Sequence, residues 1–272
     1  MRFERISSRD NARLKRVRKV RDGHLREEIF LEGLRLCGEA VRSDAAIEEI
    51  YVSDSLVEDR RFADLIGPVK DKHTVRVLGE SLFASIADTP QPQGVVFICR
   101  RPTGAMDKIA ARLASGRHLP IVVVLHRIGN PSNLGAIART AEAAGAAGLI
   151  TTTGSADPFS AKALRASMGS LLRLPTAAGS ELQNLLEWAR RREMSVSAAD
   201  GHAEVTYVEL DWSRPRLLIF GSEAHGLPEE ILPQIDELVK VPMAAPVESL
   251  NIAVAAGVML FEARRQVGPT GR

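Results

Sequence analysis

The sequence predicts an α/β protein with two segments, of which the second is built on a mainly parallel sheet. Apolar, β-branched runs such as Ile121–Leu125 and Leu217–Phe220 alternate with stretches whose apolar residues recur at helical spacing. A strand that is apolar throughout is typical of a parallel sheet with helices on both faces. The length of 272 residues also favours two domains over one.

The first segment, residues 1–101, is predicted to be a small α/β domain. Its expected elements are a helix at Ile29–Val41 and strands at Ala46–Ser53, Thr74–Leu78 and Val95–Cys99. Charged residues, prolines and glycines are mixed over residues 102–118, so this stretch is predicted to be a linker.

The second segment, residues 119–272, alternates strands and helices. The predicted strands are Ile121–Leu125, Leu149–Thr153, Ser195–Ala199, Leu217–Phe220 and Leu238–Val241. The predicted helices are Asn133–Gly145, Ser160–Met168, Glu181–Arg192 and a long final helix from Ser249. Leu250–Phe261 is apolar almost all round, so it must be buried in the core or against another subunit.

Composition indicates a globular protein, with 45% hydrophobic and 26% charged residues and a formal net charge of +2. The basic residues are concentrated near the start of the chain. Between residues 2 and 21, nine Lys or Arg stand against Glu4 and Asp10. Such a run either neutralises nucleic-acid phosphates or lies on a solvated helix, and charge alone does not separate the two.

The sequence contains no pattern typical of a metal site. Cys37 and Cys99 lack CxxC spacing and the histidines show no HxxxH or HExxH pattern, so buried reduced thiols and no metal are expected. There is no apolar run of about 18 residues and no signal-peptide pattern. A cytoplasmic protein without a membrane span is therefore expected.

Three unusual loops leave predicted strand ends, where the ligands of open α/β sheets bind. The first is Ile128–Arg139, in which Asn133 is predicted to cap the following helix. Arg139 lies further along that helix, about a third of a turn from Asn133. The alternative is an ordinary capped helix with a surface Arg139–Glu142 pair.

The second loop, Gly221–Pro228, places Glu223 between two glycines. The glycines let backbone groups reach a ligand, although an ordinary turn with an exposed acid remains an alternative.

The third loop is Val241–Asn251. Ser249 is predicted to be the N-cap of the final helix, and Asn251 is a polar group in its first turn that needs a partner. The three loops together predict one ligand site at the sheet edge.

These loops resemble the motifs of the SpoU (TrmH) family of RNA ribose 2′-O-methyltransferases, in the SPOUT superfamily. The matching stretches are NPSNLGAIART, FGSEAHGL and VPMAAPVESLNIAVA, and KALRASMGSLLRLP also looks like the family. In the first segment, FLEGLRLCGEA and TPQPQGVVF resemble the substrate (RNA)-binding domain that often precedes the catalytic domain. The resemblance therefore covers nearly the whole chain.

The resemblance implies a catalytic domain with a deep C-terminal trefoil knot, S-adenosylmethionine as cofactor, an RNA substrate and a homodimer. By motif position, the cofactor site would be lined by Gly221, Val241 and Leu250. The catalytic cluster would consist of Asn133, Arg139, Glu223, Ser249 and Asn251. The chain departs from the family at Asn130, where an acidic residue often precedes the proline, and His225 occupies a variable position.

Arginine is effectively always protonated in proteins, so Arg139 is expected to stabilise the developing alkoxide rather than to remove a proton. Ribosomal RNA of the large subunit is the preferred substrate, with transfer RNA as the alternative. A dinucleotide enzyme is disfavoured because neither GxGxxG nor GxxxxGK[ST] occurs. A non-catalytic RNA-binding protein of the same fold remains an alternative.

Overall fold

The computed structural model describes residues 2–222 and 226–268, which form two compact units. The first unit comprises the chain as far as Thr103 together with Phe159–Leu172. The second comprises Gly104–Pro158 and the chain from Arg173 onward.

Strands and α-helices alternate from β1 to β7. The first five strands and four helices are β1 (Arg2–Ile6), α1 (Ala12–Arg21), β2 (Glu28–Glu32), α2 (Leu34–Arg42), β3 (Ile47–Ser53), α3 (Arg60–Ile66), β4 (Thr74–Leu78), α4 (Glu80–Ala84) and β5 (Val95–Arg100). The remainder are α5 (Ala105–Ser115), β6 (Leu119–Leu125), α6 (Pro131–Ala144), β7 (Ala146–Thr152), α7 (Ala161–Ser167), α8 (Ser170–Arg173), β8 (Thr176–Ser180), α9 (Leu182–Arg190), β9 (Ser195–Ala199), β10 (Val205–Thr206), β11 (Arg216–Phe220), β12 (Glu237–Lys240) and α10 (Ile252–Val267).

The first unit contains a five-stranded mixed sheet in the order β1-β4-β3-β5-β2. The first three strands of this order are parallel, and β5 is antiparallel to both of its neighbours. One core cluster of this unit includes residues of α1, α4 and α7 beside the sheet residues Phe30, Tyr51 and Val96. Helix α7 therefore belongs to the first unit although it lies between strands of the second.

The prediction of one helix over Ile29–Val41 was wrong in its first part. Residues 28–32 form β2, an edge strand that pairs with β5, and Ile29, Phe30 and Leu31 are at most 2% exposed. Leu31 and Leu34 are three positions apart, which fits a helix, whereas Ile29 and Leu31 are two apart, which fits a strand. Gly33, at φ 96°, separates β2 from α2 in a conformation that glycine adopts without strain.

The second unit contains a seven-stranded sheet in the order β10-β12-β9-β11-β6-β7-β8. Every neighbouring pair is parallel, which confirms the predicted parallel sheet. The central strands β6 and β11 are almost entirely buried, because helices cover both faces.

The stretch predicted as a linker forms helix α5. Met106, Ile109 and Leu113 recur at helical spacing and pack into the core of the second unit, with Ile109 fully buried. This amphipathic pattern explains why a stretch that is rich in charge is ordered as a helix.

Helix α10 packs against α6, and the Arg264 side chain donates a hydrogen bond to the Ala144 carbonyl at 3.1 Å. The complete burial expected of its apolar surface is not found in the single chain. Ala256, Met259 and Leu260 are buried, whereas Leu250, Val254 and Phe261 are 37%, 52% and 50% exposed. Among the described helices, none is long and apolar enough to cross a membrane.

Candidate cofactor and active site

A cleft of about 410 Å³ opens at one edge of the parallel sheet, within the size range of small-molecule sites. Because the strands are parallel, the carboxyl ends of β9, β11 and β12 lie at this edge, and the loops that leave them form the cleft with the start of α10. The apolar side chains of the lining are Ala199, Phe220, Val239, Val241, Met243, Leu250, Ile252, Ala255 and Met259. The polar side chains are Asp200, Ser222, Lys240, Glu248, Ser249 and Asn251.

The cleft brings together five of the eight residues that the sequence predicted for the site. Gly221, Val241, Ser249, Leu250 and Asn251 all line it. A sixth, Asn133, is linked to this lining by a hydrogen bond, in which Asn251 Nδ2 donates to Asn133 Oδ1 at 3.2 Å. The second and third motifs therefore form the wall of one cleft, and the first motif contacts it.

The final helix is capped by Asn251 rather than by Ser249, so the prediction for Ser249 was wrong. Asn251 Oδ1 accepts a hydrogen bond from the Ala253 amide at 2.9 Å, and α10 begins at Ile252. Asparagine is as good an N-cap as serine, and here its amide nitrogen also bonds Asn133. The Ser249 hydroxyl makes no hydrogen bond to any residue in 2–222 or 226–268, which leaves it available to a ligand.

The first motif was also assigned the wrong cap. Asn130, not Asn133, caps α6, with its side chain accepting from the Ser132 amide at 2.9 Å and with Pro131 in the first turn. Proline at this position is preset for a helix and has no amide hydrogen to satisfy. Asn133 therefore does not cap α6, and its Oδ1 accepts the hydrogen bond from Asn251.

The second motif closes on itself through its backbone. Ser222 and Gly226 exchange two hydrogen bonds, of 3.1 and 2.8 Å, and Gly226 has φ 62°. A Cβ atom on Gly221 would lie 2.5 Å from the Gly226 carbonyl carbon, so only glycine fits there. Glu223, the carboxylate predicted in this loop, and His225 lie outside the described residues.

Arg139 lies on α6, is exposed, and does not line the cleft. It makes no hydrogen bond or ion pair with any described residue. The alternative of a surface Arg139–Glu142 pair is wrong, because Glu142 is bound by Arg173 at 2.7 Å. Within the single chain, the Arg139 guanidinium therefore remains available to an anion.

The loop before α6 is held by two hydroxyls, one on the last residue of β7 and one just after that strand. Thr152 Oγ1 accepts from the Arg127 amide at 3.2 Å, and Ser155 Oγ accepts from the Ile128 amide at 3.2 Å. Ser155 also donates to the Leu125 carbonyl, and the Ala156 amide bonds the Ile128 carbonyl. These bonds fix the entry to α6, and with it the position of Asn133.

His126 is buried beneath the same loop. Its Nδ1 lies 3.1 Å from Thr152 Oγ1, whereas its Nε2 is buried without a hydrogen-bond partner. Burial, and secondarily the neighbouring Arg127 charge, lower the pKa of His126 below its ordinary value of 6.5. The imidazole is therefore neutral at neutral pH.

Two family models match the chain, one in each half. Residues 120–261 match the family model described as the SpoU rRNA methylase family, and residues 30–104 match the model for RNA 2′-O ribose methyltransferase substrate binding. The chain belongs to the SpoU rRNA methylase family. This SpoU methylase is therefore an RNA methyltransferase.

Relatives span nearly all of this SpoU methylase. It is 35% identical to an uncharacterized tRNA/rRNA methyltransferase of Synechocystis, over 96% of this chain and 93% of that protein. It is 28% identical to the 23S rRNA (guanosine(2553)-2′-O)-methyltransferase of Bacillus subtilis, over 96% of this chain and 100% of that protein.

Two solved structures match with similar coverage. An AdoMet-bound rRNA methyltransferase from Sinorhizobium meliloti has a TM-score of 0.81 at 31% identity, over 97% of this chain and 98% of that one. The SpoU methyltransferase AviRb of Streptomyces viridochromogenes, in complex with AdoMet, has a TM-score of 0.84 at 27% identity, over 94% of this chain and 98% of that one.

Sequence reasoning missed several residues of the cleft in this SpoU methylase. Asp200 and Gly201 follow β9 and form a fourth loop at the same edge, and their position after a predicted strand was the signal that could have found them. Lys240 and Glu248 flank the third motif and add charge to the lining. Within the described ranges, no group of three or more His, Cys, Asp or Glu side chains could hold a metal ion.

Proposed function

We propose that the protein transfers a methyl group from S-adenosylmethionine to a ribose 2′-hydroxyl of large-subunit ribosomal RNA. The observation that carries this proposal is the cleft at the sheet edge, where the second and third motifs meet and Asn251 bonds Asn133 of the first. A catalytic site needs the methyl donor and the RNA-binding groups within reach of each other, and this bond joins the two sides.

The chemistry of the cleft fits S-adenosylmethionine. Val241, Leu250 and Met259 offer an apolar surface for the adenine, and the backbone at Gly221 is open to hydrogen bonding. Carboxylates of Asp200 and Glu248 favour a cationic sulfonium and the ribose hydroxyls of the cofactor, while Lys240 suits the carboxylate of its amino-acid part. When bound, the cofactor supplies an electrophilic methyl group.

The protein's own residues would position the reactants and stabilise charge. Correct placement of two reactants can supply about 7–11 kcal/mol of the barrier reduction. Asn251 and Ser249 face the cleft and would orient the ribose through hydrogen bonds. Arg139, a permanent cation that pairs with none of the described residues, would bind the adjacent phosphate and stabilise the alkoxide as the 2′-hydroxyl loses its proton.

The proposal includes a homodimer and a knotted C-terminus. Val254 and Phe261, seven residues apart, lie on one stripe of α10, and Leu250 lies just before the helix, where it lines the cleft. Their exposure is unusual for large apolar residues and supports a second copy as the covering surface. A trefoil knot is supported by the course of the chain, because α10 leaves β12 at one side of the sheet and packs on α6, next to the central strands.

The relatives favour ribosomal over transfer RNA. The Bacillus subtilis 23S rRNA methyltransferase matches along its whole length, whereas a structure concerned with 2′-OH methylation of C/U34 on tRNA covers only 55% of this chain. The additional segment matches the substrate-binding model, which supports a role for residues 1–101 in RNA recognition. Ribosomal RNA as substrate agrees with a cytoplasmic location.

The Arg139→Ala variant tests the mechanism. We expect methyl transfer to fall at least about 100-fold, the usual loss when one charge-stabilising donor is removed, with cofactor affinity within twofold of wild type. Isothermal titration with S-adenosylmethionine and a tritium-transfer assay on protein-free rRNA measure the two quantities. Arg139→Lys serves as control and should recover part of the rate, because it restores the charge without the planar fork. Wild-type turnover in Arg139→Ala would remove Arg139 from the mechanism.

A further inference from the structure

The basic run at the start of the chain is mostly neutralised within the first unit. Five of its nine cations form ion pairs: Arg5 with Asp54, Arg13 with Glu49, Lys15 with Asp10, Arg16 with Glu28, Glu48 and Glu49, and Arg21 with Asp22. The other four, Arg2, Arg9, Arg18 and Lys19, make no ion pair with a described residue. A uniform RNA-binding stripe along α1 is therefore not what the structure presents.

Arg9 lines a cavity of about 370 Å³ in the first unit. Its other lining residues are Ser7, Ser81, Leu82 and Ser85, so the lining contains three hydroxyls and one guanidinium but no carboxylate. The Ser7 and Ser81 hydroxyls and the Arg9 guanidinium have no hydrogen-bond partner in residues 2–222 or 226–268. All three remain available as donors.

A second guanidinium supports the same cavity. Arg18 Nη2 donates to Ser85 Oγ at 2.9 Å and Arg18 Nη1 to the Arg9 carbonyl at 3.4 Å. Ser85 itself donates to the Leu82 carbonyl at 2.7 Å. Arg18 thus joins the two sides of the cavity through neutral acceptors, and its positive charge is not cancelled by a carboxylate.

We propose that this cavity binds a phosphate of the RNA backbone, at a contact outside the catalytic cleft. Arginine and serine donors are the groups that proteins use for phosphate oxygens, and a guanidinium can bind two of them at once. No aromatic side chain lines the cavity, so it offers no surface on which a base would stack. Such a contact fixes the position of the RNA without reading its sequence.

The proposal rests on the proposed RNA substrate, which favours RNA over an acidic peptide as the source of the anion. The substrate-binding match over residues 30–104 includes the Ser81–Ser85 side of the cavity. The Arg9 side lies before that match, in the loop between β1 and α1. The proposed site therefore gives a function to a residue before position 30, in a segment that neither family model matches.

Full-length Arg9→Gln tests the site, with protein-free 23S rRNA as probe. Arg9 is exposed and pairs with no described residue, so the variant should unfold at the wild-type temperature. We expect the rRNA Kd to rise about tenfold and the slope of log K against log salt to fall by about 1. In methyl transfer, KM should rise while kcat is retained.

Arg2→Gln is the matched control. It removes the same charge from the opposite end of β1, about 16 Å along the strand from Ser7, and should change Kd less than twofold. Ser81→Glu, which retains Arg9 and adds a carboxylate to the cavity, should weaken binding more than Arg9→Gln.

Equal effects of Arg9→Gln and Arg2→Gln would overturn the site in favour of diffuse electrostatics. Weaker binding of a polyglutamate peptide by Arg9→Gln, with unchanged rRNA affinity, would assign the cavity to an acidic peptide instead. If the wild-type protein methylates rRNA and Arg9→Gln binds and methylates it equally well, the cavity is not an RNA site and the proposed function is untouched. A wild-type protein that neither binds nor methylates rRNA would overturn the proposed function and the site with it.

Discussion

At the scale of single residues, the hydrogen bond between Asn133 and Asn251 is the contact that joins two motifs 118 positions apart. The sequence predicted that Asn251 would need a partner, since a polar amide at the start of an apolar helix is costly to leave unpaired. It could not predict which partner, because Asn130, Asn133, Ser249 and Asn251 are all acceptable helix caps. Only the fold determines which of them cap a helix and which do not.

His126 gives a residue-scale prediction about pH. Its pKa is lowered in the folded state, so between the folded value and 6.5 the unfolded chain binds more protons than the folded one. The stability that neutral His126 contributes is complete above pH 6.5 and is lost as the pH falls below it. Urea unfolding measures the free energy of unfolding of wild type and His126→Asn from pH 7.5 to pH 5. This free energy should fall less for the variant as the pH is lowered.

Asparagine retains a polar group near Thr152 and does not titrate, so the comparison isolates the charge. His73 and His118 have pKa values lowered by burial too, and they remain in both proteins. If the free energy of unfolding depends on pH in the same way in the two proteins, the difference in proton binding between the folded and unfolded states does not arise at His126.

At the scale of elements, the loops that follow β9, β11 and β12 determine the cleft. The sequence predicted two of these three, because motif residues with unusual chemistry stand at the strand ends. It predicted the central strands well, since a buried parallel strand is apolar throughout. It did not separate β2 from α2, where apolar spacing fits both a strand and a helix and the decision depends on pairing with β5.

Gly221→Ala tests the closed second motif. The new Cβ would meet the backbone of Gly226 and Leu227 at 2.5 to 2.9 Å, and backbone cannot move aside as a flexible side chain can. We expect a loss of about 1–3 kcal/mol in the free energy of unfolding and at least a tenfold weaker S-adenosylmethionine affinity. Denaturant titration and calorimetry measure both.

Gly129→Ala is the matched control, in the loop that precedes α6. A Cβ there would meet no atom within 4 Å, and the residue does not have a positive φ, so stability and cofactor affinity should stay at wild-type levels. If Gly221→Ala behaves like Gly129→Ala, the loop opens easily and does not shape the cleft.

At the scale of the whole molecule, the exposed stripe on α10 predicts self-association. Phe261→Glu places a charge on that stripe and should shift the protein from dimer to monomer in analytical ultracentrifugation, with a loss of methyl transfer. Phe261 is 50% exposed, so the substitution should not unfold the single chain. Val208→Glu, at a residue 51% exposed but outside the stripe, should leave the mass unchanged. A monomeric wild-type protein with full activity would contradict the prediction.

The sequence could not predict which residues make up the first unit. Phe159–Leu172 lies between β7 and β8 of the second unit, yet Ala161 packs in the core of the first and Arg165 pairs with Asp88. Helical periodicity predicts α7 itself but not the sheet that it covers. Deletion of residues 1–101 would therefore also remove the residues against which α7 packs.

The central claim is that this SpoU methylase modifies a ribose hydroxyl of ribosomal RNA. The most direct test incubates the purified full-length protein with isotopically labelled S-adenosylmethionine and protein-free 23S rRNA, digests the RNA to nucleosides and identifies the labelled species by mass spectrometry. The proposed site predicts the label in a 2′-O-methylated nucleoside, and its absence with Arg139→Ala. Label on a base, or none with the wild-type protein, would contradict the proposed reaction.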